Sequence, residues 1–318
     1  MTPSSDARAS RPFRAWALAF LAAAVLASCL ATGPRIGPGT SASPDTGAPP
    51  KASPPPTPLP SPSIAPESLV AAAGKFLETD DLAKAQAAIE EAARLKGGDD
   101  PALSLLKASI LLSDGKTTEA RTVVNSILAK NPDDVEAIYV LSAVERSAGD
   151  ETARKALLDR VLKAKPDHDQ ALAEYGDIWY GAKVYVKAEE SYRKALAANG
   201  GNVDALLGMG RLGYQNGKFP EAEAYQTKAI AANPKLSVAW AERARTRYHR
   251  GDPAGSLADS AKAIELTPGD PWNYIERART YLDSGNKESA LADFSKAIEI
   301  DPSYHLPYIY RAGIYEEA

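Results

Sequence analysis

From Pro101 to Tyr304 the apolar and polar positions recur with a period of 34 residues, without insertion or deletion. With the recurrent proline numbered as position 32, the register is set by Pro132, Pro166, Pro234, Pro268 and Pro302, and Gly200 takes the sixth place. Position 8 reads Ala108, Ser142, Gly176, Gly210, Ala244, Ala278 and Ala312. Position 20 reads Ala120, Arg154, Ala188, Ala222, Ser256 and Ala290, and position 27 reads Ile127, Val161, Ala195, Ala229, Ala263 and Ala297. Small side chains at fixed points let two helix backbones approach closely, and a proline stops the second helix. Gly115, Gly149, Gly217, Gly251 and Gly285 mark a turn between the two helices. Each period therefore predicts a helical hairpin with one apolar face too many, which must stack on its neighbours.

The unit ending at Pro302 also carries Tyr274, Ala278, Tyr281, Gly285, Ala290, Phe294 and Ala297, and the preceding unit places Trp240 near its start. In these residues and spacings the chain resembles the tetratricopeptide-repeat family over residues 67–318. The resemblance implies an all-α, right-handed α-solenoid of helix-turn-helix repeats. Six regular repeats are expected at 101–134, 135–168, 169–202, 203–236, 237–270 and 271–304. A degenerate one at about 67–100 precedes them, its loop one residue longer by the placement of Gly74 and Ala85, and helix 305–318 covers the last repeat. Arg154 at a small position, with Ile127 and Val161 at another, requires the early repeats to pack differently.

Composition adds a separate N-terminal story. Of the 24 prolines, 12 lie between Pro34 and Pro66, where runs such as Pro54-Pro55-Pro56 predict a disordered tether. At ~3.1 Å per residue such a segment could reach ~115 Å. Before it, Arg8, Arg11 and Arg14 flank an apolar run from Ala15 to Ala27, the layout of a secretory signal too short to span a membrane comfortably. The single cysteine, Cys29, ends that run, and Leu26-Ala27-Ser28-Cys29 resembles the lipobox of bacterial lipoproteins. The resemblance implies a signal peptide at 1–28, acylation of Cys29 and a lipid-anchored linker at 29–66. Leu30, rather than Asp, after the cysteine implies sorting to the outer membrane of a diderm bacterium, facing the periplasm. An acylated Cys29 leaves no thiol for a disulfide or for catalysis. The net charge is −4, or −6 once residues 1–28 are removed, and does not suggest nucleic acid.

Nothing in the motifs argues for catalysis, a cofactor or a metal. Gly208-Met209-Gly210-Arg211-Leu212-Gly213 spells a dinucleotide fingerprint but sits inside a predicted helix, not between a strand and a helix. Its glycines, with Gly200 and Gly201, instead predict a mechanically weak stretch. His168, His249 and His305 have no second ligand three or four residues away.

In the family the first helices line a concave groove, through positions 2, 5, 9, 12 and 13. Position 12 gives Tyr180, Tyr214 and Tyr248, position 9 gives Arg211, Arg245 and Arg279, and Asp177, Gln215 and His249 stand beside them. Tyrosine offers apolar area with a polar tip and arginine a planar fork for carboxylates. The ladder suits an extended peptide or partner protein with an acidic group or a free C-terminus. Glu242 and Glu276, three residues before two of the arginines, would blunt that field. Arg243 and Arg277 differ: only their repeats carry Asp259 and Asp293, which predicts an ion pair inside each hairpin. The reading is a non-catalytic interaction scaffold of the cell envelope, its rival a small-molecule carrier or accessory subunit of an envelope transport system.

Overall fold

The computed structural model describes residues 65–78, 81–98 and 100–316. The signal peptide, the acylated Cys29 and most of the tether expected from the sequence lie outside the described residues. The described residues fall into two compact units, one ending at Pro132 and one beginning at Asp133. The first unit holds α1 (Pro66–Glu78), α2 (Leu82–Leu95), α3 (Pro101–Ser113) and α4 (Thr117–Lys130). The second holds α5 (Val135–Ala148), α6 (Glu151–Ala164), α7 (Asp169–Gly181), α8 (Tyr185–Ala198), α9 (Val203–Gln215), α10 (Phe219–Ala232), α11 (Ser237–Arg250), α12 (Pro253–Leu266), α13 (Pro271–Asp283), α14 (Lys287–Ile300) and α15 (Leu306–Glu316). Among the described residues there is no strand, and no helix is long and apolar enough to cross a membrane.

The helix ends follow the repeat register. Position 34 supplies the N-cap of the first helix through Asp100, Asp134, His168, Asn202 and Asp270, each accepting from a backbone N–H of the first turn. Position 15 adopts left-handed backbone at Gly115, Gly149, Gly217, Gly251 and Gly285, and in one repeat at Lys183, with φ of 61°. The proline register has a second use: Trp240 donates its indole N–H to the Pro234 carbonyl, and Tyr274 and Tyr308 donate their hydroxyls to Pro268 and Pro302. An aromatic at position 4 thus ties each of these three helices to the connection before it.

The degenerate first repeat departs from expectation. Its first helix ends at Glu78 and its second begins at Leu82, the spacing of most regular hairpins; α2 ends at Leu95 and α3 begins at Pro101, one residue further apart than in the regular repeats, with positive φ at Gly97 and Gly98. Its buried small positions are Ala73 and Ala85, so Ala73 rather than Gly74 faces the partner helix.

The small positions are buried from Ala108 to Ala297, Ala312 of the last helix being exposed, and Arg154, their charged occupant, has a counterpart. Arg154 is buried and donates through Nε and Nη2 to Glu174 of α7, at 3.2 and 3.0 Å. The early repeats pack differently because a buried ion pair replaces an alanine contact. The two predicted hairpin ion pairs are present: Arg243 meets Asp259 through two bonds of 2.8 Å, and Arg277 meets Asp293 at 2.7 and 2.8 Å.

Helix α9 is continuous and buries nine of its residues, its glycines among them. Gly208 of α9 and Gly176 of α7 face the ring of Tyr192, which comes from α8 and is fully buried. A Cβ at either glycine would overlap that ring. A Cβ at Gly213 would come within 3.1 Å of the Ala222 backbone. In the stretch expected to be weak, Gly208 therefore packs against the Tyr192 ring and Gly213 against the Ala222 backbone.

Candidate functional site

The residues singled out from the sequence lie on the first helices α7, α9, α11 and α13, or one turn away. The structure brings them together repeat to repeat. Arg245 stacks its guanidinium on Tyr214 of the preceding repeat, 4.5 Å from the ring centroid, and Arg279 does the same on Tyr248 at 5.4 Å. Tyr248 also hydrogen-bonds Asp283 of the next repeat. His249 meets Tyr214 at 5.4 Å and Tyr248 at 4.9 Å, both edge to face. Gln215 is exposed and Tyr180 half-buried.

The three arginines are not equivalent. Arg211 donates to Glu242 at 2.7 Å and lies 3.6 Å from Asp177, while Arg279 pairs with Glu276 at 3.1 Å. Glu242 therefore serves the arginine of the repeat before it, not Arg245 on its own helix. Arg245 has no carboxylate partner among the described residues, and its Nε is buried without an acceptor. Arg311 lies 5.9 Å from the Tyr315 ring centroid, likewise with no carboxylate partner among the described residues.

Two features escaped sequence reasoning. The first is an acidic cluster bounded by arginines. Glu174 accepts from Tyr139 at 3.0 Å and from Arg154, and Arg146 lies 3.3 Å away. Burial works against the Glu174 carboxylate, but Arg146 and Arg154 outweigh it and hold it below its usual range. Asp177 accepts from Tyr192 at 2.7 Å; burial raises its pKa despite Arg211. Asp204 has no such partner, and burial followed by repulsion from Asp177 and Glu174 pushes it up to about 7. Asp204 stands at position 2, already a groove position, so that signal was available; Glu174 at position 6 carried none.

The second feature is a set of aromatics opposite the position-12 tyrosines. Tyr185 sits 5.5 Å from Tyr180, and Phe219 5.7 Å from Tyr214, each five residues later across the hairpin turn. Phe219 also stacks on His249 at 6.0 Å. Burial, then the charges of Arg279 and Arg245, hold the His249 imidazole below its ordinary pKa, which favours its neutral form. A shallow cavity of about 350 Å³ beside this ridge is lined by Tyr248, His249, Gly251, Pro253, Thr280, Asp283 and Ser284. Among the described residues no group of His, Cys, Asp and Glu is arranged to hold a metal ion.

Family models described as tetratricopeptide repeat match residues 76–144, 151–203, 187–237, 207–271 and 271–304. Among solved structures, a tetratricopeptide repeat protein from Parabacteroides merdae is 23% identical over 76% of this chain and 96% of its own, with a TM-score of 0.50. PilW, a widely conserved type IV pilus biogenesis factor, is 19% identical over 66% of this chain and 97% of its own, with a TM-score of 0.57. The pilF protein of Pseudomonas aeruginosa is 15% identical over 67% and 97%, with a TM-score of 0.58. These likenesses share the α-solenoid fold. No curated protein matches the chain.

Proposed function

We propose that this chain, which belongs to the tetratricopeptide-repeat family, is a non-catalytic protein–protein interaction scaffold anchored by lipid in a bacterial cell envelope. The observation that carries the reading is the repeat-spaced aromatic ridge of Tyr180, Tyr214 and Tyr248. Each is only half-buried and each is fixed by neighbours, so the ridge offers apolar area already paid for in side-chain entropy. An extended segment lying along successive repeats would meet the same ring at each step, with acidic groups placed to reach an arginine. A shared fold with a type IV pilus biogenesis factor is compatible with work at the envelope. The lipobox-like Leu26-Ala27-Ser28-Cys29 supports the anchor, with Cys29 as the acylated residue, and Leu30 supports the outer membrane facing the periplasm. The carrier reading needs an enclosed apolar pocket, whereas the cavity beside the ridge is shallow and sets Thr280, Asp283 and Ser284 among its lining beside Tyr248 and Pro253.

Crosslinking and pull-down from membranes, with the full chain and with a Tyr180→Ala, Tyr214→Ala, Tyr248→Ala variant, tests the groove. Recovery of one envelope protein by the wild type and its loss in the variant is the expected result. Equal recovery would move the contact surface elsewhere. Labelling with a fatty acid should mark the wild type and not Cys29→Ala; label kept by the variant would reject the anchor.

A further inference from the structure

We propose that α15 carries a second docking surface, outside the groove, for an amphipathic helix of a partner protein. That helix bears a small residue, an aspartate three residues on, and another small residue four beyond that. The two sides of α15 differ. Leu306, Tyr310 and Ile314 join the core that α13 and α14 build, with Tyr310 stacked on Phe294 at 5.0 Å. Tyr308, Arg311, Ala312 and Tyr315 fall at i, i+3, i+4 and i+7, a stripe along the opposite side of the helix. Tyr308 is 45% exposed and Tyr315 58%, and Ala312 is exposed between them.

What fits this stripe is visible on α13, which holds the same four residues in the same register: Tyr274, Arg277, Ala278 and Tyr281. There α14 covers them. Tyr274 and Ala278 are buried in one core with Ala290 and Ala297, and Arg277 donates to Asp293 at 2.7 and 2.8 Å. In the preceding hairpin α12 brings Ser256, Asp259 and Ala263 in the same spacing, and Asp259 accepts from Arg243. Among the described residues α15 has no such cover. Arg311 keeps the posture of Arg277, each guanidinium 5.9 Å from the centroid of the tyrosine four residues on, but its Nε is withdrawn from water with no acceptor. That arrangement costs free energy until an acceptor arrives, and a carboxylate matches the guanidinium fork. The small residues let the incoming backbone come close enough to Ala312 for an aspartate to reach Arg311. In a second copy of the chain, Asp259 and Asp293 are already engaged inside their own hairpins. Residues 1–64 lack the pattern: their acidic residues are Asp6 and Asp45, with Pro3 three residues before the one and Pro44 directly before the other.

The test uses the full chain and, as probes, a peptide with the sequence of residues 287–300 and its Asp293→Asn counterpart. Both are stapled on the side away from residue 293, because a free helix of this length is marginal in water. Binding is followed by the arginine Nε–H resonances in NMR, the Arg311 signal being the one lost in Arg311→Gln. The aspartate peptide should shift that signal saturably, and the asparagine peptide should bind about tenfold or more weakly. Folded Arg311→Gln should bind both peptides equally and weakly, and Tyr315→Ala should weaken both. The Tyr180→Ala, Tyr214→Ala, Tyr248→Ala variant should bind as the wild type does, which separates this surface from the groove. No saturable shift, equal binding of the two peptides by the wild type, or an unchanged affinity in Arg311→Gln would overturn the assignment. Self-association of the full chain in sedimentation, lost in Tyr315→Ala and displaced by the peptide, would give the surface to a second copy and overturn the partner helix.

Discussion

Tyr192 explains at the level of single residues why glycine occupies 176 and 208. Its ring fills the space that side chains at those positions would take, and its hydroxyl donates to Asp177 of α7. Helix propensity alone would make Gly208→Ala stabilising by ~1 kcal/mol. The new methyl meets the Tyr192 ring, and overpacking of a tight core costs about 1–3 kcal/mol. The packing term should win, so Gly208→Ala should lower the urea midpoint, and Tyr192→Leu in the same chain should recover part of the loss. A rise in the midpoint of the single variant would show that the ring yields without cost. The sequence led the other way here because propensity is local, whereas the wedge comes from a helix that begins 23 residues before Gly208. Arg245 is a similar case: its position was legible, but not that its neighbour Glu242 would turn toward another repeat.

Pairs of helices show when such interactions can be read in advance. Arg243 with Asp259, and Arg277 with Asp293, occur together in two repeats and are absent from others, so co-occurrence exposes them. Arg154 with Glu174 occurs once and joins two repeats, which leaves no pattern to find. Fold class and helix order were legible for the same reason as the first kind of pair, since six in-phase periods repeat each signal. The Arg277–Asp293 pair is the cleaner one to measure, because Asp259 has a second partner in Arg247 at 3.1 Å. Arg277→Ala and Asp293→Ala should each destabilise the second unit. A double-mutant cycle by urea unfolding should return a coupling of about 1.5–3 kcal/mol, as for hydrogen bonds between charged groups. A coupling near zero would mean that the two bonds, although short, contribute only geometry.

Across the second unit as a whole, charges on the first helices cross from repeat to repeat, and their balance sets a pH dependence. Arg146, Arg154 and Arg211 face the carboxylates Glu174, Asp177, Glu242 and Asp204. Among the described residues Asp204 is the one of these four with no bond of its own, and its pKa is raised from 3.8 to about 7. Below about 3.8 the folded and unfolded states both carry its proton, and its contribution to stability is fully present. Between about 3.8 and about 7 only the folded state retains the proton, so stability falls as pH rises through that window and the contribution is gone above it. In a dry site three pKa units would correspond to roughly 4 kcal/mol. Asp204 is half-buried, and its remaining contact with solvent reduces that to on the order of 1 kcal/mol. Asp204→Asn removes the titration, so the variant should be more stable than wild type at pH 8, with the difference shrinking toward pH 5. Taking the difference between the two proteins at each pH cancels titrations that they share. Asp177 stays in both as the residual term, since its own pKa is raised by burial against the pull of Arg211. Urea unfolding at intervals from pH 5 to pH 8 measures the difference directly. A difference independent of pH, or one that grows toward pH 5, would mean that Asp204 ionises as an ordinary surface carboxylate and that the groove holds no such store of repulsion.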